Sequence, residues 1–341
     1  MTGEKGRVIG LDIGGANLKA SDGERHSVSR SFALWHDVDD LPIVLRELLA
    51  GFEPVSAVAL TMTAELADCF SSKAEGVERV VTSAQSATMA PVYVWQTAGE
   101  FVSPDVAIEF PRLTAAANWH ALATWAGRMA PQGSSLLIDM GSTTTDIIPL
   151  KDGFPVSTGF TDIERLQSGE LVYVGSRRTP VCSLAMEVPF RGRLCPVAAE
   201  MFATMDDVFL ILSETAEDPH RCDTADGRPA TREAAFNRLA HMICCDLSEV
   251  SRDELTEIAE HLRFTQRAII EEALRKVTEY QRRFPASVLV SGEGEFLAKR
   301  IVQDTFGQQT SEILSLKDSL GPEHSRAACA FALARLGRER L

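Results

Sequence analysis

Two stretches of this sequence place an aspartate directly before a turn of small residues, a pattern suited to binding phosphate. In the first, Asp12 ends an apolar run and precedes a turn built from Gly14, Gly15, Ala16 and Asn17. Consecutive glycines let backbone N–H groups come close to an anion, and the aspartate can hold a hydrated divalent cation beside the phosphate oxygens. The pattern predicts a phosphate-binding hairpin, although the same residues would also make an ordinary turn.

The spacing of these glycines excludes two familiar phosphate sites. A dinucleotide-binding fold needs Gly-x-Gly-x-x-Gly at the start of a helix, and a P-loop needs Gly-x-x-x-x-Gly-Lys-Ser/Thr. Neither pattern is present in this stretch, and no helix is predicted directly after the glycines.

The second stretch repeats this plan 127 residues later. Asp139 ends an apolar run and precedes a turn that is rich in hydroxyl groups, made of Gly141, Ser142, Thr143 and Thr144. Hydroxyl and backbone N–H groups donate well to phosphate oxygens. The repetition predicts a chain of two similar halves, each of which contributes one hairpin.

Three further features could contribute to a site. A glycine turn of Gly292, Glu293 and Gly294 follows a predicted strand and opens a predicted helix, where an anion or a planar base can bind. Arg177 and Arg178 form a cationic turn suited to phosphate or carboxylate, or simply a solvated one. A buried strand over residues 55–62 leads into a polar turn that carries two carboxylates, as is typical of ligand sites in α/β proteins.

The elements that must position these groups follow from hydrophobic periodicity. Strands are predicted around the two hairpins and over residues 26–34, 55–62, 91–96, 169–175, 287–291 and 311–316. Helices are predicted over residues 41–51, 71–87, 113–129, 197–212, 232–246, 254–283, 296–306 and 323–336.

Composition limits the class of protein. The 341 residues predict about two domains, and a net charge of -14, from 48 acidic and 34 basic residues, argues against nucleic acid and anionic membranes as partners. There is no apolar signal region and no 18-residue apolar run, so we expect a cytoplasmic protein. The seven cysteines show no Cys-x-x-Cys pair, which argues against a disulfide framework. A homo-oligomer stays open.

The two hairpins and the third glycine turn together resemble the phosphate-1, phosphate-2 and adenosine motifs of the actin, Hsp70 and sugar-kinase superfamily. The resemblance implies an α/β protein with the two-domain actin-like ATPase (ribonuclease H-like) fold and a phosphate-binding cleft between its domains. The first domain would comprise residues 1–133, completed by the C-terminal helix at 323–341. The second would comprise residues 134–322, with a helical insertion at about 176–285 and the adenosine-like turn at 288–295.

Several motifs narrow this resemblance to the hydantoinase/oxoprolinase-like proteins. They are the first hairpin, the turn at 61–68, the stretch Gly169–Tyr173 followed by Arg178-Thr179-Pro180, and the motif Thr224-Ala225-Asp226-Gly227-Arg228-Pro229. The chain looks most like the small single-chain branch linked to tetrahydromethanopterin-dependent one-carbon transfer. That resemblance implies a transferase of methanofuran-type cofactor biosynthesis, which joins an aminomethylfuran-methyl diphosphate to a tyramine- or tyrosine-type phenol and releases diphosphate.

This implied chemistry gives roles to the candidate residues. Asp12 and Asp139 would bind Mg²⁺, the residues of both hairpin turns would bind the diphosphate, and Lys19 would add a positive charge. The phenol needs a base, for which Glu65, Asp146 and Asp162 are candidates, and we favour Glu65 because it lies at a strand end in the expected cleft. Arg177 and Arg178 would hold a carboxylate of the substrate.

Two alternatives use some of the same residues. ATP could occupy the cleft, with Gly292, Glu293 and Gly294 against adenosine, in a kinase or an ATP-dependent hydrolase of the hydantoinase type. A zinc site could be drawn from His220, Cys222, His241 and Cys245, but the spacing is unlike that of common zinc sites, and buried thiols are the more ordinary interpretation.

Overall fold

The computed structural model describes residues 6–281, 284–307 and 312–341, and its strands have the following bounds. They are β1 Arg7–Ile13, β2 Asn17–Ser21, β3 Ser27–Ser31, β4 Val55–Met62, β5 Val92–Trp95, β6 Phe101–Val102, β7 Ser134–Met140, β8 Thr145–Lys151, β9 Phe154–Pro155, β10 Leu171–Val172, β11 Glu187–Phe190, β12 Arg193–Pro196, β13 Ser287–Ser291 and β14 Glu312–Ser315.

The helices alternate with these strands. They are α1 Leu34–Asp37, α2 Leu41–Ala50, α3 Lys73–Ala87, α4 Pro104–Glu109, α5 Pro111–Thr114, α6 Asn118–Ala126, α7 Asp162–Ser168, α8 Val181–Leu184, α9 Met205–Ile211, α10 Arg232–His241, α11 Arg252–Gln281, α12 Glu295–Phe306, α13 Leu316–Leu320, α14 Pro322–Arg326 and α15 Ala328–Arg340. Short 3₁₀ turns lie at Val38–Asp40 and Gly127–Met129. Within the described ranges, no helix is both long enough and apolar enough to cross a membrane.

The first sheet has the order β3-β2-β1-β4-β5-β6. Strands β1 and β2 form an antiparallel hairpin, whereas β1 and β4 run parallel, so the end of β4 lies beside the turn of the hairpin. Helix α15 packs directly on β1, because a Cβ atom at Gly10 would lie only 1.9 Å from the carbonyl oxygen of Ala330. We call this sheet with its helices, residues 6–126 and α15, the first lobe.

The second sheet repeats the arrangement. Its order is β10-β8-β7-β13-β14, with β7 and β8 as the antiparallel hairpin and β13 parallel to β7. Helices α9, α10, α11 and α12 share one large buried core with β7, β8 and β13. We call this part, residues 134–315, the second lobe.

A buried apolar layer joins the two lobes. It combines Trp119 and Leu122 of α6 and Ala332 of α15 with Ile148 of β8 and Leu289 of β13. Burial of such side chains is worth about 1.5–3 kcal/mol each. The two hairpins therefore project from a firmly connected frame.

Several predicted elements were wrong in their extent. The helix predicted over 232–246 ends at His241, and the helix predicted over 323–336 is divided at Ala327 into α14 and α15. The helix predicted over 113–129 is interrupted before α6, because Ala116 adopts a left-handed backbone with φ of 48°. The helix predicted over 197–212 begins only at Met205, where Thr204 and Asp207 form a capping box. The strand predicted over 169–175 pairs only at Leu171–Val172, since Gly175 turns away to cover the second hairpin.

The insertion predicted as helical at about 176–285 also contains the hairpin of β11 and β12. In contrast, β4 has the predicted bounds, and α3, α12 and β13 lie where they were predicted. Parts of some predictions lie outside the described residues. They are the N-terminal residues 1–5, the predicted end of the long helix at 282–283 and the predicted start of the last strand at 311.

Candidate functional site

The turn of the first hairpin presents unpaired backbone donors. The N–H of Gly14 donates to the carbonyl of Asn17 (3.0 Å), while the carbonyls of Gly15 and Ala16 accept from Leu34 and Phe32, both at 3.0 Å. In the described part of the chain, the N–H groups of Gly15 and Ala16 have no acceptor. A Cβ atom at Gly15 would meet nothing within 4 Å. This turn therefore has its carbonyls tied back and its donors free beside open space, as an anion site requires.

The second hairpin is built in the same way. Its N–H at Gly141 donates to Thr144 (2.9 Å), and its carbonyls at Gly141 and Ser142 accept from the backbone N–H groups of residues 176–178 at 2.7–3.0 Å. Among the described residues, the N–H groups of Ser142, Thr143 and Thr144 have no acceptor. The covering segment can sit this close because a Cβ atom at Gly175 would lie 2.5 Å from the backbone of Thr143.

Lys19 is influenced by carboxylates of both lobes. It lies opposite Asp12 in the β1–β2 register, so both side chains project from the same face of the sheet. Burial alone would lower the pKa of Lys19, but the carboxylates of Asp12 in the first lobe and Asp139 and Glu293 in the second raise it above its ordinary value. Because carboxylates of both lobes act on Lys19, we infer that the two hairpins border one cleft.

Of the two predicted metal ligands, Asp12 is buried and Asp139 is half-buried. Burial raises the pKa of Asp139 to about 6, assisted by the neighbouring Asp146 and opposed by Lys19. Burial also raises the pKa of Asp12, and Lys19 opposes that shift. Both carboxylates are costly without a counter-ion. Two carboxylates beside free phosphate donors suit Mg²⁺, which usually binds one or two carboxylates together with substrate phosphates and water.

The positions of His, Cys, Asp and Glu side chains in the described ranges also bear on the zinc site considered above. No group of three or more His, Cys, Asp or Glu side chains there is arranged to hold a metal ion. His220, Cys222, His241 and Cys245 therefore form no such group, and the zinc site drawn from them is wrong for the part of the chain that the structure describes.

The third glycine turn is explained by packing. Gly292 has a φ of 91°, and a Cβ atom there would lie 2.2 Å from the carbonyl oxygen of Met140. A Cβ atom at Gly294 would lie 2.4 Å from the Met140 side chain and 2.9 Å from Ser176. Both glycines are thus required for close contact with β7 and the segment after it. A contact of Gly292, Glu293 and Gly294 with adenosine stays a prediction.

The two arginines of the cationic turn differ in their surroundings. Arg177 is paired with Asp223 at 2.5 Å and lies 3.9 Å from Glu293. Arg178 is exposed and has no ion pair within the described residues, although its backbone N–H is fixed to Ser142. Arg178 is therefore the cation beside the second hairpin that is free to bind an anionic ligand.

The three candidate bases occupy different environments. Asp146 accepts from the guanidinium of Arg165 at 2.7 Å, and Asp162 accepts from Lys73 at 2.8 Å. Glu65 is 1% exposed, and its Oε2 atom has no hydrogen-bond partner among the described residues. Burial raises the pKa of Glu65 to about 7, although nearby backbone N–H groups and Lys73 oppose the shift. Glu65 is thus the carboxyl group without a committed cation.

Sequence reasoning missed two cations of this region. Arg165 is buried, holds Asp146 and stacks 4.0 Å above the ring of Trp119, while Lys73 begins α3 and reaches into the second lobe. Their partners are distant in sequence, so no local spacing indicated these pairs. The local signal near Arg165 is the capping box of Thr161 and Glu164, which begins the short helix that carries this arginine.

Comparisons with known proteins identify the family of this chain. The family model described as hydantoinase/oxoprolinase matches residues 56–340. A curated protein of Methanocaldococcus jannaschii, named (4-{4-[2-(gamma-L-glutamylamino)ethyl]phenoxymethyl}furan-2-yl)methanamine synthase, is 37% identical over 98% of each chain. A protein of the same name from Methanococcus vannielii is 35% identical over 60% of this chain and 91% of its own.

Solved structures agree on the fold. A nucleotide-free structure of acetone carboxylase superposes with a TM-score of 0.51 at 11% identity, covering 93% of this chain and 51% of that chain. Identity this low is informative about the fold alone. The predicted actin-like fold class is confirmed.

Proposed function

The chain belongs to the hydantoinase/oxoprolinase family, and from this premise we propose that it is a transferase of methanofuran-type cofactor biosynthesis. It joins an aminomethylfuran-methyl diphosphate to the phenol oxygen of a tyramine, tyrosine or γ-glutamyl substrate and releases diphosphate. The observation that carries the proposal is the pair of facing turns, each with its carbonyls tied back and its N–H groups free. Free N–H groups on two turns suit a ligand with two phosphate groups.

The leaving group is stabilised from both lobes. As the bond between the furfuryl carbon and the diphosphate oxygen breaks, its electron pair moves to the diphosphate. The N–H groups of Gly15 and Ala16 on one side and of Ser142 and Thr144 on the other donate to the charge that develops. Lys19 adds a positive charge between the lobes. Asp12 and Asp139 would hold Mg²⁺, which supplies Lewis-acid stabilisation of the leaving diphosphate.

The acceptor is activated by Glu65. A phenol has a pKa of about 10, so at neutral pH its proton must be removed as the new bond between oxygen and carbon forms. Because the pKa of Glu65 is about 7, its carboxylate is present near neutral pH and still basic enough to accept this proton. Asp146 and Asp162 are weaker candidates, since each is already paired with a cation.

Arg178 completes the site on the acceptor side. It has no ion pair in the described part of the chain and lies next to the second hairpin. The name of the Methanocaldococcus jannaschii relative includes a γ-glutamyl group, which carries a carboxylate. We assign the binding of such a carboxylate to Arg178, with Arg177 holding the loop at Asp223 in place.

ATP-dependent chemistry is the second candidate, because a phosphate cleft between two lobes also suits ATP. The third glycine turn was the main sequence feature in its favour. Packing against Met140 and Ser176 accounts for the glycines of that turn without a nucleotide. The diphosphate transferase is therefore the better supported proposal.

The test is a reconstitution with defined substrates. The purified protein would be incubated with Mg²⁺, the furan diphosphate and tyramine, tyrosine or their γ-glutamyl forms, and the aryl ether and the released diphosphate would be quantified. We expect equal amounts of ether and diphosphate, with both lost in Asp12→Ala and Asp139→Ala. The absence of an ether with every phenol, together with Mg²⁺-dependent ATP turnover, would overturn the proposal.

A further inference from the structure

Glu65 is closed off from solvent. It is 1% exposed, and α3 presses on its backbone so closely that a Cβ atom at Gly76 would lie 2.2 Å from the Glu65 carbonyl oxygen. A substrate the size of a phenol cannot contact a carboxyl group that water does not reach. If Glu65 accepts the phenol proton, part of the wall around it must open.

One ion pair in this wall crosses from one lobe to the other. Lys73 is the first residue of α3 in the first lobe, and Asp162 is the first residue of α7 in the second. The Nζ and Oδ2 atoms are 2.8 Å apart, and the side chains are 37% and 23% exposed. The pair is therefore reached by solvent, whereas Glu65 is not.

The pair also lies close to Glu65, because Lys73 is about one helical turn before Gly76, the residue of α3 that packs on the Glu65 backbone. Lys73 lowers and Asp162 raises the pKa of that carboxyl group, so both charges act on it directly. Asp162 in turn raises the pKa of Asp146, which is paired with Arg165 at 2.7 Å. The solvent-exposed Lys73–Asp162 pair therefore lies at the start of the helix that covers Glu65.

Two exposed aliphatic residues are adjacent in sequence to Glu65 and Asp162. Leu66 directly follows Glu65 and is 63% exposed, and Ile163 directly follows Asp162 and is 69% exposed. Exposed aliphatic side chains favour contact with an aromatic ring over contact with a hydrophilic molecule. This chemistry suits a para-substituted phenol.

We propose that the Lys73–Asp162 pair is the entrance gate for the phenol acceptor. This inference rests on the proposed transferase function. The pair separates to admit the phenol to Glu65 and re-forms behind it, so that water stays away from the furfuryl carbon. While the gate is closed, the phenol oxygen bonds to that carbon, its proton passes to Glu65 and diphosphate leaves. While it is open, water can replace the phenol and give a hydroxymethylfuran instead.

The first test measures how the furan diphosphate is divided between ether and hydroxymethylfuran. We expect Lys73→Met and Asp162→Asn to raise the hydrolysed share about three- to tenfold, the range expected for a partly buried ion pair. Lys73→Arg keeps the pair and should restore a share within about twofold of wild type. Arg79→Met is the matched control, since Arg79 lies on the same helix but pairs at 2.7 Å with Asp39 of the same lobe. A wild-type share in Lys73→Met would overturn the gate.

The second test does not need the transferase activity. Carbodiimide labelling followed by peptide mass spectrometry would give the modification rate of Glu65 relative to the exposed Glu78 of α3. We expect this relative rate to rise about three- to tenfold in Lys73→Met and to stay unchanged in Arg79→Met. No increase would overturn the gate even if the wild type forms the ether. An increase in a protein that forms no ether would uphold the opening and overturn only the proposed function.

Discussion

Replacing Glu65 by glutamine should lower the transferase activity and, as the pH rises, increase the stability of the variant relative to wild type. The buried carboxyl group has a pKa of about 7 instead of its ordinary 4.5. Its proton is therefore held more tightly in the folded chain than in the unfolded chain. Between these two pH values the folded state binds more protons, so the free energy of unfolding falls as the pH rises through this window.

The size of this effect follows from the difference between the two pKa values. It corresponds to about 3 kcal/mol of stability that the wild type has at pH 4.5 and has lost at pH 8. Glutamine does not ionise, so Glu65→Gln should gain about 3 kcal/mol relative to wild type between these pH values. For a chain of this length, that is a relative increase of about 4 °C in the unfolding midpoint.

The activity should move the other way. Since the base must be deprotonated, wild-type transfer should rise with pH and level off above about pH 7 at saturating Mg²⁺ and acceptor. Removal of a general base typically costs about 10²–10⁴-fold. In Glu65→Gln we expect a loss of this size and no rising limb near pH 7.

The assay combines diphosphate release with thermal unfolding from pH 4.5 to 8.5. Glu170→Gln is the matched control, because Glu170 is also buried but its Oε1 atom accepts two hydrogen bonds from Thr158. That variant should keep the rising limb. A limb near pH 7 that persists in Glu65→Gln, or a stability difference that does not change with pH, would refute the assignment of the base.

Three other predictions test the frame around the site. Gly10→Ala should lower the free energy of unfolding by about 3 kcal/mol, because its Cβ atom would collide with the backbone of α15. In contrast, Gly15→Ala should leave the unfolding midpoint unchanged and weaken the binding of inorganic diphosphate, measured by calorimetry, about tenfold or more. In thermal-shift measurements, Asp139→Asn should abolish the stabilisation of the protein by Mg²⁺ and diphosphate. In the metal-free protein at pH 8, the same substitution should raise the unfolding midpoint. A retained Mg²⁺ effect would contradict the metal assignment. Arg165→Met should destabilise the protein by about 3–5 kcal/mol at pH 8, because it leaves the Asp146 carboxylate without its partner. The loss should be smaller at pH 5, where Asp146 can take up a proton, and equal losses at both pH values would contradict this account.

Much of the fold could be predicted from local patterns. Strand β4 has the predicted bounds, and the repeated arrangement of Asp12 and Asp139 corresponds to two sheets with the same hairpin design. These signals are local, because a strand, its aspartate and its turn are adjacent in sequence. The break at Ala116 could not be read in this way. An alanine-rich segment favours a helix, and its left-handed backbone conformation depends on tertiary packing.

The candidate site was predictable in part for the same reason. The phosphate turns follow from small residues in a row, whereas the environment of a carboxyl group depends on partners that the sequence does not reveal. The sequence favoured Glu65 over Asp146 and Asp162 only for its place at a strand end, and it did not reveal that Arg165 pairs with Asp146 and Lys73 with Asp162. Likewise, the glycines of the third turn suggested a nucleotide, but their neighbours in space are Met140 and Ser176.

The packing of α15 on β1 has a consequence for how the chain folds during synthesis. About 315 residues separate Ile13 from Ala328, and a ribosome adds about 5–20 residues per second, so β1 waits about 15–60 s for its covering helix. During that time, the face of the first sheet that α15 covers is open to non-native contacts. The second lobe has its sheet and helices within one continuous stretch of chain and can form earlier. The nascent first lobe is therefore the part that we expect chaperones to bind.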